Sequence, residues 1–392
     1  MITVHGAADD GFGPVADAFR ENFTEDIEVG AACAVYHRGR VVVDLYAGVA
    51  DARTNRPWGP QTLAVVFSVG KGLMTLCAYL AHQRGLLDFD APVVSVWPEF
   101  GANGKEQTTI RDLFSHRAGL AALDTDLTLD DLAEWTPVIR AIEEQKPLWQ
   151  PGTDFAYHAL TFGWLTGEVL RRVTGLSPHD LLAEYLTTPL GADAWIGLPT
   201  EEEPRVAFHL PRPQVDDPAY EQFVQLAMGL PLVIRALSLG GAVPPTLIDG
   251  SDRDFNAPAL HALQIPAANG ITSAASLARI YAAAVSSVDG RPRLLSAESV
   301  ADATTLRSFG AGWPGALTRP GIRFGTGFMI NGIPYLPLLS GSSFGHDGAS
   351  GSVGFADADA EIGFGYVNNR FAGSEDGRAS RLTAAVRRSL GQ

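Results

Sequence analysis

The segment Ser68-Val69-Gly70-Lys71 puts a lysine one helical turn after a serine, in a chain with three lysines against 26 arginines. Three lysines and 21 serines would give only about 0.2 Ser-x-x-Lys pairs by chance. The run that follows, Gly72-Leu73-Met74-Thr75-Leu76-Cys77-Ala78-Tyr79-Leu80-Ala81, is apolar on nearly every side of a helix, the pattern of a buried one. Lysine is rarely fully buried unless it is paired or does chemistry. A serine hydroxyl is a weak nucleophile until a neighbouring base takes its proton. A lysine three residues on lies on the same helical face, within reach of that hydroxyl. At its ordinary pKa only about one lysine in 2,500 is neutral at pH 7, and burial would raise that fraction. The helix N-terminus favours negative charge developing on the serine. The structural alternative is that Ser68 caps the helix while Lys71 extends its stem to the surface. Lys105 and Lys146, in Asn-Gly-Lys-Glu and Glu-Glu-Gln-Lys contexts, read as surface residues.

Two later segments bear on the same chemistry. Pro151-Gly152-Thr153-Asp154-Phe155-Ala156-Tyr157-His158-Ala159 leads into a helical pattern at 161–174. A tyrosine at such a junction can point its hydroxyl into a cleft and pass protons between serine and leaving group; the alternative is a packed aromatic. Phe344-Gly345-His346-Asp347-Gly348-Ala349-Ser350-Gly351-Ser352-Val353-Gly354-Phe355 is dense in glycine, which lets a ligand approach the backbone. A backbone N–H there, with that of Ser68, would make an oxyanion hole. The alternative is a Gly-rich hairpin with a solvent-exposed His346.

The order Ser68-x-x-Lys71, then Tyr157 after Pro-Gly, then His346-x-Gly348 resembles class C serine β-lactamases, penicillin-binding proteins and, most closely, the family VIII carboxylesterases of that fold. Thr109-Ile110-Arg111-Asp112-Leu113-Phe114-Ser115-His116-Arg117-Ala118-Gly119-Leu120 is similar to the family's T-I-R-x-L-L-x-H-x-S-G-L segment. Asn269-Gly270-Ile271-Thr272-Ser273-Ala274-Ala275-Ser276-Leu277-Ala278 is similar to its G-G-L-x-S-T-A-x-D-L-A helix start. The resemblance implies that Ser68 attacks a carbonyl to form an acyl-enzyme, which water then releases. It implies that Lys71 and Tyr157 share the base and acid roles, with the oxyanion between the backbone amides of Ser68 and Ala349. His346, Gly348 and Ala159 would contact substrate. Where those β-lactamases carry Tyr-x-Asn, this chain has Tyr157-His158-Ala159; where they carry Lys-Thr/Ser-Gly, it has His346-Asp347-Gly348. The first change removes an amide that holds the β-lactam side chain, and the second a fixed positive charge for its carboxylate. Both point to neutral esters, with His346 still able to polarise or protonate near neutral pH.

The elements around these residues set the architecture. A short helix over 12–23 precedes a β-hairpin at 31–36 and 41–46, and the apolar helix spans 67–84. Helical patterns follow at 110–116, 129–144, 161–174 and 273–286, strand-like segments at 325–330, 351–356 and 361–368, and a last amphipathic helix at 378–390. Strands at both ends and helices between predict an α+β, β-lactamase-like fold: an antiparallel sheet built from both chain termini and flanked by helices, with an inserted mostly helical domain. The expected boundaries are 1–105 with 266–392 for the sheet domain and 106–265 for the helical one. Within the latter, a Pro/Gly-rich insertion at about 199–265 has the length of a lid or binding loop. Its apolar part, 227–245, would wall an acyl or alcohol pocket or pack as core.

Composition narrows the function. A net charge of −15, from 29 basic and 44 acidic residues, argues against nucleic acid or an anionic membrane as partner. No 18-residue uncharged apolar stretch suggests a membrane span, and the N-terminus lacks a basic start and apolar stretch, so a cytoplasmic protein with a small-molecule ester substrate is expected. Cys33 and Cys77 read as reduced core residues. The nine histidines make no His-x-His or His-x-x-x-His pair, so no metal or cofactor is expected. Gly341-Ser342-Ser343-Phe344-Gly345 matches a nucleophile elbow but lacks the helix that motif needs after it. β-Lactamase, D-alanyl-D-alanine peptidase or amidase activity, and a catalytically silent binding or structural module, are the alternatives. Composition does not bear on the oligomeric state.

Overall fold

The computed structural model describes residues 2–24, 28–213, 218–310, 312, 321–372 and 376–391. The chain opens with strand Val4–Ala8 (β1), helix Gly13–Glu21 (α1) and strands Gly30–His37 (β2), Arg40–Asp51 (β3), Arg56–Pro57 (β4) and Ala64–Phe67 (β5). Helices Val69–Gln83 (α2), Ile110–Phe114 (α3), Leu129–Glu134 (α4), Thr136–Glu144 (α5) and Thr161–Thr174 (α6) follow. Two further strands, Ala194–Trp195 (β6) and Gly270–Thr272 (β7), interrupt the helical part. Ser308–Gly310 (β8), Ile322–Phe324 (β9), Met329–Ile330 (β10), Ser343–Asp347 (β11), Val353–Asp357 (β12) and Ile362–Asn368 (β13) complete the strands of the described residues.

The main sheet runs β1-β3-β2-β13-β12-β11-β10-β9-β8, with β4 on β3, and its pairings are antiparallel. β13 lies on β2 from Ile362↔His37 to Asn368↔Ala31, so the two ends of the chain close one sheet as expected. In β2 the side chains alternate between two cores. Ala32 and Ala34 join the core of α2 and the helix Ala274–Val285, while Ala31, Cys33 and Val35 face Phe19, Leu382 and Val386 of the terminal helices. Both faces are therefore covered, which is why the strand is a near-continuous run of small apolar residues. A Cβ on Gly363 would lie 2.3 Å from the Ala278 carbonyl oxygen, and one on Gly365 2.4 Å from that of Ala274. The helix Ala274–Val285 thus rests directly on the backbone of β13, which only glycine permits.

A second sheet, β5-β7-β6, has no clear sequence signature because its strands are two to four residues long. It delivers the chain to Ser68. The periodic 129–144 segment is two helices rather than one: Trp135 turns the chain at φ 64°, and Pro137 cannot donate within a continuous helix. The 199–265 insertion also contains helices, Pro218–Met228, Pro231–Ser238 and Pro258–Ala262. The prolines that read as loop markers occupy the first helical turns, where the missing N–H costs nothing. Residues 214–217 of that insertion lie outside the described residues. The 325–330 segment keeps only Met329–Ile330 as strand. Cys33 and Cys77 are buried free thiols. No helix among the described residues is long and apolar enough to cross a membrane.

Lys105 is not a surface residue. It is fully buried, and its Nζ donates to the Glu143 carbonyl at 2.8 Å and the Gln145 carbonyl at 2.6 Å. It thereby caps the C-terminal end of α5, where a cation meets the negative end of the helix dipole. Burial pushes its pKa down to about 8. Its polar sequence neighbours conceal this because both partners lie some forty residues away. Lys105→Met should cost about 1–3 kcal/mol by leaving buried carbonyls unpaired; a lower chemical-denaturation midpoint with unchanged specific activity of the folded fraction is the expected reading.

Candidate active site

The corner between β5 and α2 is strained. Phe67 sits at φ 49°, a left-handed conformation that is an outlier for an aromatic residue. It is held there by edge and tilted packing on His209, Phe255 and Phe371 at 5.2, 5.5 and 5.3 Å between ring centres. Ser68 then occupies the N-cap position of α2, yet its side chain makes no capping bond. Its hydroxyl is 3.0 Å from Lys71 Nζ.

Lys71 is 0% exposed, so the snorkelling alternative fails. Its Nζ also donates to the Ala267 carbonyl at 2.8 Å, and lies 4.9 Å from the Tyr157 ring centre and 5.9 Å from that of Phe162. Burial pushes its pKa well below the ordinary lysine range, with the Asp347 carboxylate pulling the other way. In the neutral amine the Ala267 carbonyl fixes one N–H, and the lone pair can turn to Ser68 and accept its proton. This is the arrangement an activated serine requires.

Tyr157 precedes α6 and is fixed from several sides. Its backbone N–H donates to the Gly312 carbonyl at 2.6 Å. Its ring stacks on Phe324 at 5.9 Å with 7° between planes, and packs at a tilt of 52° against His116 at 5.0 Å. The His116 Nδ1 accepts the His158 backbone N–H at 3.1 Å, which leaves its proton on Nε2. The His158 Nε2 accepts the Leu120 N–H at 2.9 Å, and its Nδ1–H donates to the Ala156 carbonyl at 2.6 Å. Both rings are fully buried and held neutral: burial pushes His158 down to about 4 and His116 well below the usual histidine range. Ala159, 7% exposed, presents only a methyl group at the start of α6.

His346 is buried in β11, 2% exposed, rather than solvent-exposed. Its Nδ1 lies 2.7 Å from the Asp347 carbonyl oxygen, which can only accept, so Nδ1 carries the proton. In the neutral ring Nε2 is then an acceptor, buried and without a partner among the described residues. The ring centre is 6.1 Å from that of Tyr157. The following turn is closed by Gly348 N–H to the Ser352 carbonyl at 2.7 Å and Gly351 N–H to the Gly348 carbonyl at 2.8 Å. A Cβ on Gly348 would lie 2.2 Å from the Val66 carbonyl oxygen and 3.5 Å from Val69 Cγ2. The turn bearing Ala349 therefore packs against the residues that flank Ser68.

Ser343 does not sit on a nucleophile elbow. It opens β11 at 0% exposure, and its hydroxyl donates to Asp357 Oδ2 at 2.6 Å while accepting the Leu339 and Ser340 N–H groups. The structure thus brings Ser68, Lys71, Tyr157, His346 and the Gly348–Ala349 turn together. Sequence reasoning missed His116, Phe324, Asp347 and the Ala267 carbonyl. His116 and Asp347 lay inside quoted segments in which neither was given a role; Phe324 and the Ala267 carbonyl meet the site through distant chain contacts with no local signal.

The protein-family model described as Beta-lactamase matches residues 19–388. Esterase/beta-lactamase LipL of Mycobacterium tuberculosis (strain ATCC 25618 / H37Rv) is 36% identical over 378 residues, covering 94% of this chain and 83% of that protein. A crystal structure described as a family VIII carboxylesterase superposes with a TM-score of 0.86 at 33% identity, covering 99% of this chain and 100% of that one. EstA from Arthrobacter nitroguajacolicus Rue61a gives 0.83 at 34% identity, covering 98% of each chain.

With Lys71 as the base of an acylation step, the rate should fall as pH drops through the depressed Lys71 pKa, and this fall should lie well below the ordinary lysine range. Asp347 opposes that depression, so Asp347→Asn should move the acid limb to lower pH. Stopped-flow acylation by an activated ester across pH checks this; a limb that stays put or moves upward contradicts it.

Proposed function

This chain belongs to the beta-lactamase family, and from that membership we propose that it is a carboxylesterase, a serine hydrolase that cleaves small carboxylic esters through an acyl-enzyme on Ser68. The observation that carries the reading is the 3.0 Å approach of a fully buried, depressed-pKa Lys71 amine to the Ser68 hydroxyl. Ser68 Oγ attacks the ester carbonyl carbon while its proton passes to Lys71 Nζ. The carbonyl oxygen gains the negative charge and is stabilised by the N–H groups of Ser68 and Ala349. Collapse breaks the bond to the alcohol oxygen, which takes a proton from the coupled Lys71–Tyr157 pair. Water then repeats the sequence on the acyl-enzyme, losing its proton to that pair and freeing the acid and Ser68. No metal or cofactor enters these steps.

The choice of a neutral ester rests on two positions. Ala159 offers no amide to hold a β-lactam side chain, and His346 stands where a lysine would supply a fixed positive charge for a carboxylate. The esterase names of the relatives support this choice. The printed name of LipL also carries beta-lactamase, so β-lactam hydrolysis is the second reading, with peptidase and amidase chemistry on the same acyl-enzyme. A small-molecule substrate and a cytoplasmic setting fit the acidic chain and its two reduced, buried thiols.

Turnover of p-nitrophenyl butyrate should exceed that of a chromogenic cephalosporin, and Ser68→Ala should lower it by at least about 10³-fold. A faster cephalosporin rate overturns the substrate class, and activity that survives Ser68→Ala overturns the nucleophile. Absence of both turnover and an acyl adduct on Ser68 by mass spectrometry would favour a silent module.

A further inference from the structure

Behind the turn that bears Ala349 lies a buried ion cluster that the ester chemistry does not use. Arg378, the first residue of the helix Arg378–Ser389, is 2% exposed. Its guanidinium is forked onto Asp376, with Nε to Oδ1 at 2.8 Å and Nη2 to Oδ2 at 2.7 Å. Nη1 donates to Glu28 Oε1 at 3.1 Å, and the other Glu28 oxygen accepts the Tyr366 hydroxyl. Nη2 also donates to the Ser350 carbonyl at 2.8 Å and the Arg370 carbonyl at 3.1 Å.

Such a cluster is a poor device for stability alone. Desolvating the charges offsets most of their attraction, and apolar packing of similar volume often does as well. What it supplies is direction, because a rigid planar fork fixes the groups it binds. Here one of those groups belongs to the turn. Gly351 is pressed onto the cluster: at φ 95°, a Cβ on it would lie 2.3 Å from Asp376 Oδ2. The Ser350 carbonyl points into the fork, and the Gly348–Ser352 and Gly351–Gly348 hydrogen bonds carry that orientation to the Gly348–Ala349 peptide.

We propose that Arg378, oriented by Asp376 and Glu28, is a positioning residue that aims the Ala349 N–H at the oxyanion. The proposal rests on the assignment of Ala349 above. An oxyanion donor acts on the transition state more than on bound ester, so misaiming it lowers kcat and spares KM.

Arg378→Lys keeps the charge and loses the fork; Asp376→Asn keeps Arg378 and loosens its hold. In the full-length enzyme both should lower kcat for p-nitrophenyl butyrate about 10- to 100-fold, the size expected of an ångström-scale misplacement. KM should stay within about twofold, and affinity for an alkyl phosphonate ester analogue of the tetrahedral intermediate, read from rapid-equilibrium inhibition, should fall by the same factor as kcat. Thermal melting and circular dichroism identify folded variants; if Arg378→Lys does not fold, Asp376→Asn decides. Replacing Ala349 by lactic acid removes its N–H alone and should cost about 10²- to 10³-fold in kcat. If that replacement lowers kcat while the folded variants keep wild-type kcat and analogue affinity, the role of Arg378 is overturned. If it leaves kcat unchanged, the Ala349 assignment falls, and this proposal with it, while ester hydrolysis on Ser68 stands.

Discussion

The site depends on keeping one amine dry. Lys71 is fully enclosed, and the charge nearest it, Asp347, does not outweigh the cost of burying an ammonium. An isolated buried charge is penalised by several kcal/mol, and the group escapes that penalty by shedding its proton. In the proposed reaction neutral Lys71 is the base, and the Ala267 carbonyl at 2.8 Å would direct its N–H so that the lone pair is free for Ser68. Surface exposure would undo this by restoring water to the ammonium.

That requirement explains why distant parts of the chain converge. The dry pocket is walled by Tyr157 and Phe162 from the start of α6, by the segment before β7 and by the end of β11. α2 must therefore lie between the main sheet and the helices of the middle of the chain, apolar all round. The small β5-β7-β6 sheet fixes where α2 begins, and the strained Phe67 marks how sharply the chain turns to present Ser68. Strain of that kind persists only where the surroundings over-determine it, here three aromatic rings around Phe67.

What was legible in the sequence were the long periodic elements. The helix at 161–174 was read to its ends, and α2, the β2–β3 hairpin, the 361–368 strand and the terminal helix were read to within a few residues, because each buries a continuous face whose period shows locally. Two-residue strands such as β6 and β10 carry no period. The split at Trp135 shows the reverse failure, where periodicity persists across a break in the backbone. At the site, Ser68, Lys71 and Tyr157 were visible by residue type and order. The roles of Asp347, Phe324 and the Ala267 carbonyl were not, because their contribution lies in where the fold puts them. Lys105 makes the same point: nothing beside it in the chain announces the Glu143 and Gln145 carbonyls at the end of α5.

The electrostatics of the finished site favour a particular kind of substrate. Burial lowers the pKa of His116, His158 and Lys71, and both histidines accept a backbone N–H on one ring nitrogen. His346 donates its Nδ1–H to the Asp347 carbonyl. None of these groups offers a fixed positive charge to a substrate, and the whole chain is strongly acidic. A neutral ester enters such a pocket without the desolvation cost that a carboxylate carries. In the proposed reaction the negative charge of the tetrahedral intermediate arises only after binding, at the oxygen assigned to the Ser68 and Ala349 N–H groups. Backbone N–H groups discriminate in time as well as place: they stabilise charge made by the reaction more than charge carried in by the ligand, which is the condition for raising kcat rather than merely tightening binding.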